Sequence, residues 1–174
     1  MLRALINQCG ISEAFDPDVA GAQPAKVEFN ALWDTGATDC VITQAVIDTW
    51  GLSPIGRTEV TGVHGKAESD VYLVNISLPD SVDFVGIRVT KGELGDADIL
   101  IGMNIITQGD FAVSSFSGIT KFSFRVPSED HIDFVEAIRR KNLVPQFQHG
   151  GTKANRTKRQ KPASNKPTRN RQKK

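Results

Sequence analysis

The run Lys26-Val-Glu-Phe-Asn-Ala-Leu-Trp33 constrains the fold more than any other stretch. Its apolar residues Val27, Phe29, Ala31 and Trp33 recur at every second position. That period matches one buried face of a strand and no face of a helix. The run delivers an acid to a tight loop, Asp34-Thr35-Gly36-Ala37-Thr38, where Gly36 lets the backbone turn closely. Cys40-Val-Ile-Thr43 then returns to apolar, β-branched character. An acidic side chain is thus expected on a loop between two strands.

From Lys26 to Pro127 the chain reads as strand-length runs broken by turn clusters, the layout of an all-β domain. Residues 45–50 are a short helix closed by Gly51. Residues 59–63 and 66–78 form two strands around a tip at Val63-His64-Gly65, and 84–90 form another. Asp98-Ile-Leu-Ile-Gly102-Met-Asn-Ile-Ile106 is an apolar strand running into a glycine and a short helical segment. Residues 110–116 and 119–126 flank Ser117-Gly118 as a hairpin, with Phe122, Phe124 and Val126 on one face. Ser128 offers an N-cap to a helix over 129–141, with Ile132, Val135 and Ile138 on one stripe. A further short strand is read near residues 9–15.

At 174 residues the chain holds one ordinary domain, and its net charge of +1 hides a division. Residues 149–174 carry ten Lys/Arg and no acid, which leaves 11 basic and 20 acidic residues in 1–148. That tail suits sequence-independent contact with phosphates, as in nucleic acid, or else simply solubilises the acidic body. Two cysteines, Cys9 and Cys40, are too few for a disulfide framework or a zinc site and read as reduced thiols, with a single bridge left open. No run approaches 18 apolar residues, and the N-terminus is apolar too briefly for a secretory signal, so a cytoplasmic address and no membrane partner are expected.

An Asp on a turn is ordinarily just a turn former. Two carboxylates within hydrogen-bonding distance behave differently: they share one proton, so one can deprotonate a water while the other polarises a carbonyl. The order of the Asp34-Thr35-Gly36 loop, the glycine-bearing hairpin at Val60-Thr-Gly62-Val-His-Gly65 and the Ile99–Gly102 strand resembles the retropepsin-like aspartic proteases over residues 26–127. The resemblance implies a single-lobe acid protease fold and catalysis by Asp34. Only one such motif occurs in the chain, so the second carboxylate would be Asp34 of another copy on a two-fold axis. Thr35 would reach across that axis, and Gly36 would let the substrate backbone approach. Gly62, Val63, His64 and Gly65 would form the flap over a peptide, and Ile101 and Gly102 would brace the Asp34 loop.

This chain departs from the viral pattern, in which an arginine follows the bracing glycine and pairs with an aspartate two residues beyond the catalytic one's glycine. Met103 and Thr38 stand there instead, so the form looks closer to cellular and bacterial members. The expected organisation is an N-terminal extension over 1–25, the protease domain over 26–127, a helix over 128–144 and a disordered basic tail over 145–174. The expected function is a homodimeric aspartic endopeptidase acting on peptide or protein substrates without metal or organic cofactor. The competing reading keeps the fold as a non-catalytic dimerisation module that binds nucleic acid through its tail.

Overall fold

The computed structural model describes residues 4–15, 25–62, 65–79 and 82–141. The chain divides into two units, Met1–Ile132 and Asp133–Lys174. In the first, strands β1 (Ile6–Glu13), β2 (Val27–Trp33), β3 (Cys40–Ile42), β4 (Gly56–Gly62), β5 (Gly65–Leu78), β6 (Val82–Lys91) and β7 (Ile99–Ile101) form one sheet in the order β1-β2-β7-β3-β6-β5-β4. An additional β1–β5 pairing joins the sheet's two sides, so six strands close a barrel and β4 extends from β5. Closure removes the unpaired backbone edges of those six strands.

The barrel's interior follows the alternation visible in the chain. Ala31 and Trp33 of β2, Cys40 and Ile42 of β3, and Ile99 and Ile101 of β7 all point into one apolar core. Helix α1 (Gln44–Trp50) contributes Val46 and Ile47 to it, and Gly51 ends that helix with φ 60°. A left-handed residue is needed there, and glycine adopts it without a Cβ penalty. Burial of these side chains is the main stabilising term, about 1.5–3 kcal/mol for each large aliphatic group. Among the described residues no helix is long and apolar enough to cross a membrane.

Strand β1 lies inside the segment read from the sequence as an N-terminal extension, yet it is a stave of the barrel. It pairs antiparallel with β2 from Ile6↔Leu32 to Ile11↔Val27, and with β5 from Gly10↔Ser77 to Glu13↔Val74. A short strand read near residues 9–15 is thus present over Ile6–Glu13, but the contacts that make it part of the barrel come from strands far along the chain.

Strands β8 (Asp110–Phe116) and β9 (Ile119–Arg125) form a separate antiparallel hairpin. Ser117 and Gly118 at its tip both have positive φ, 50° and 78°, as a two-residue turn of matching twist requires. Phe111, Phe122 and Phe124 face the barrel core, while Phe116 and Ile119 are exposed.

Ser128 does not cap a helix, and the helix expected from residue 129 starts later. The Ser128 hydroxyl donates to Asp110 Oδ1 at 2.5 Å, and the Glu129 and Asp130 N–H groups donate to Asp110 Oδ2 at 2.9 and 3.1 Å. Arg125 donates to the same oxygen through Nε at 2.7 Å. Residues 128–130 are thereby tied to the foot of the hairpin rather than wound into a helix. In the second unit, α3 (Phe134–Lys141) is capped by Asp133, whose Oδ1 accepts from the Val135 and Glu136 N–H groups at 2.8 and 3.0 Å. The basic tail, 145–174, lies outside the described residues.

The Ser128 hydroxyl foremost, then the Glu129 N–H, hold the Asp110 carboxyl well below the usual carboxylate range, with Arg125 and Asp130 adding to them. A depressed folded-state value means that this contribution is present above the unfolded-state carboxylate pKa and is lost as pH falls through the folded one. Asp110→Asn is therefore expected to lower Tm at neutral pH, by a margin that shrinks as acid protonates the wild-type carboxylate. Thermal melts of both proteins across acid pH check it; a constant margin would contradict this account.

Candidate active site

Asp34 sits at the end of β2, half-buried, between the barrel's core and solvent. Main-chain bonds fix it on both sides. The Trp33 N–H donates to the Leu5 carbonyl at 2.9 Å, and the Asp34 N–H donates to the Ile101 carbonyl at 3.0 Å. The parallel register Trp33↔Ile101 between β2 and β7 creates the second of these contacts. Within the loop, the Gly36 N–H donates to Asp34 Oδ1 at 2.8 Å, which orients the carboxylate. A carboxylate accepting an amide N–H is held by a charge-assisted bond. Thr35 and Gly36 are exposed beside it.

Gly102, which follows Ile101, passes against the far arm of the same loop. A Cβ placed there would lie 2.5 Å from the Asp39 carbonyl oxygen and 3.1 Å from that of Ala37. The Met103 and Asn104 N–H groups donate to the Ala37 and Thr38 carbonyls at 2.8 and 3.0 Å. These main-chain bonds join α2 (Met103–Ile106) to the loop at the two positions, Met103 and Thr38, where the charged pair of the viral pattern is missing.

Cys40 lies beneath this junction and adds to it. The Gly102 N–H points at Cys40 Sγ at 3.4 Å, and the Cys40 thiol donates to Asn104 Oδ1 at 3.1 Å. Burial pushes the Cys40 thiol up to about 11 and the Cys9 thiol up to about 12, so both stay protonated at neutral pH. Both are free and buried. Cys40 here is a small packing residue with a weak donor, not a nucleophile.

The hairpin of β4 and β5 pairs from Gly56↔Val71 to Gly62↔Gly65. Residues opposite each other share a face. One face therefore carries Arg57, Glu59, Lys66, Glu68 and Asp70, with ion pairs Arg57–Asp70 at 3.0 Å and Lys66–Glu59 at 2.6 Å. The other carries Thr58, Val60, Ala67 and Ser69. Val63 and His64 lie outside the described residues. A cavity of about 540 Å³ is lined by Val60, Gly62, Gly65, Ala67, Ser69 and Gly92, among others, but by no residue of the Asp34 loop. A smaller one, about 260 Å³, is bordered by Asp39 at the end of that loop and by Thr58 at the base of the hairpin.

Trp33 belongs to the apolar face read from the alternation of residues 26–33. It is 5% exposed and caged by Phe111, Phe122 and Phe124 of the β8–β9 hairpin. The cage had one visible trace, the shared face of Phe122 and Phe124, but nothing local pointed to Trp33 as its centre.

No curated protein matches the sequence. Among solved structures the chain is similar to the EIAV protease solved with an inhibitor, at 18% identity and TM-score 0.44, covering 60% of this chain and 86% of that one. It is also similar to a retropepsin-like aspartic protease from Rickettsia conorii, at 21% identity and TM-score 0.39, covering 51% and 76%. The simian foamy virus (mac) protease aligns at 22% identity and TM-score 0.35, over 46% and 81%. The family described as "gag-polyprotein putative aspartyl protease" matches residues 22–108. That stretch is half of the chain and contains the Asp34 loop, the β4–β5 hairpin and the Ile101–Gly102 brace, so the chain belongs to this retropepsin-like aspartic protease family.

Proposed function

We propose that the protein is an aspartic endopeptidase in which two copies bring their Asp34 carboxylates together on a two-fold axis. The observation that carries this reading is the fixed, half-buried Asp34, tied to Ile101 through its own N–H and to Gly36 through Oδ1. One carboxylate of the pair takes a proton from a bound water, and the resulting hydroxide attacks the peptide carbonyl. The other, protonated, donates to the carbonyl oxygen as it becomes an oxyanion. Collapse of the tetrahedral intermediate breaks the C–N bond once the leaving amine is protonated. One carboxylate at the end of a single β2 cannot fill both roles at once.

Thr35 would meet the partner's loop across the axis, and the β4–β5 hairpin would close over an extended peptide, its glycines Gly62 and Gly65 acting as hinges around Val63 and His64. The pair needs one shared proton, so the rate falls on the alkaline side as both members ionise.

Dilution tests the half-site directly. Specific activity on a peptide substrate is expected to fall with protein concentration, in step with the dimer fraction measured by sedimentation. A monomer with undiminished specific activity would overturn the two-chain site, and absence of peptide hydrolysis from about pH 3 to 7 would overturn the protease reading itself.

A further inference from the structure

Trp33 directly precedes Asp34, yet nearly everything its side chain touches comes from elsewhere in the fold. Its ring stacks on Phe111 with centroids 5.3 Å apart and planes 9° from parallel. Phe124 and Phe122 approach it at 5.1 and 5.9 Å in tilted arrangements. The indole Nε1–H donates to Asn7 Oδ1 at 2.7 Å. A cavity of about 360 Å³ opens beside it, bordered also by Asn7, Leu78 and Phe124. Close packing therefore does not enclose the indole on every side. Its orientation is set by the Phe111 stack and the Asn7 bond.

We infer that Trp33 is a positioning residue for Asp34, gripped by β1 and the β8–β9 hairpin so that the carboxylate leaves the end of β2 at one angle. Asp34 is the next residue along the chain, so a shift of the end of β2 on loss of the stack or of the Asn7 bond displaces the carboxylate with it. The main-chain bonds from Trp33 to Leu5 and from Asp34 to Ile101 hold the same segment from the backbone side. A displacement of about 1 Å at a reacting group costs on the order of a hundredfold in rate.

This inference rests on the protease reading, and its test separates the two. The full-length protein is assayed on a peptide that the wild type cleaves, with Trp33→Phe, Asn7→Leu, their double variant and Trp33→Leu. Trp33→Phe and Asn7→Leu are expected to lower kcat about tenfold each, and Trp33→Leu about a hundredfold, with KM and dimer association unchanged. The double variant should be no worse than either single one, because both remove the same bond. A fall in Tm with kcat per folded dimer unchanged would reduce Trp33 to a packing residue and overturn the inference. Additive losses in the double variant would overturn it as well. If Trp33→Leu does not fold, the Asn7–Trp33 cycle still decides. A wild type that cleaves beside unaffected variants removes only this inference, whereas a wild type that cleaves nothing removes the protease reading with it.

Discussion

Asp34→Asn is expected to lower peptide-bond hydrolysis by on the order of 10⁴-fold or more while leaving the fold and self-association in place. The amide is close to the carboxylate in shape, and its oxygen can still accept the Gly36 N–H that Asp34 Oδ1 accepts at 2.8 Å. The neighbouring main-chain bonds from Trp33 to Leu5 and from Asp34 to Ile101 do not involve the side chain at all. What disappears is chemical: an amide neither takes a proton from water nor shares one with a facing carboxylate. Mixed dimers of wild-type and variant chains should be inactive too, since one carboxylate cannot play both parts. Steady-state hydrolysis with thermal melts and sedimentation checks this. Undiminished hydrolysis by the variant would sink the assignment of Asp34.

Gly102→Ala carries the second large effect, and here structure fails before chemistry. The added Cβ would stand 2.5 Å from the carbonyl oxygen and 2.7 Å from the carbonyl carbon of Asp39. Both are backbone atoms, so no side chain can swing away to make room. Overpacking of this kind costs about 1–3 kcal/mol, and relief by backbone displacement places this site at the upper end. Roughly 3 kcal/mol corresponds to about ten degrees in Tm for a domain of this size. The strain falls on the strand–loop junction made by the Met103–Ala37 and Asn104–Thr38 bonds, so the Asp34 loop shifts with it. Activity per folded molecule should therefore fall as well, by about a hundredfold. Wild-type Tm and activity in this variant would mean that the loop does not lean on Gly102.

The exposed β4–β5 ion pairs are expected to matter far less. Arg57 and Glu68 are each 70% or more exposed, and pairs of that kind contribute about 0–1 kcal/mol. Their arrangement on one face leaves the small residues Thr58, Val60, Ala67 and Ser69 on the other. The same alternation is readable in the chain once the hairpin register is known.

Much of the scaffold was legible because its signals are local. The two-residue period of 26–33 puts Val27, Phe29, Ala31 and Trp33 on one face; Ala31 and Trp33 are buried there, while Val27 at the strand's start is exposed. Gly51 closes α1, and Ser117-Gly118 turns the hairpin, because each requires a backbone conformation that few residues adopt cheaply. Gly65, with φ 110°, and Gly102, pressed against the Asp39 carbonyl, were likewise readable, since a turn and a close approach favour glycine there. Only the tertiary structure could decide the rest, because there the deciding contacts join distant residues. Ser128 and Asp133 are both good helix caps by residue type, and Asp110, far back in the chain, takes the Ser128 hydroxyl and leaves the helix to Asp133. Residues 6–13 become a barrel stave because β2 and β5 offer them edges, not because their own pattern is strong. The indole of Trp33 was legible as apolar and inward; that it hangs between Asn7 and Phe111, one residue from Asp34, depends on pairings that no local pattern encodes.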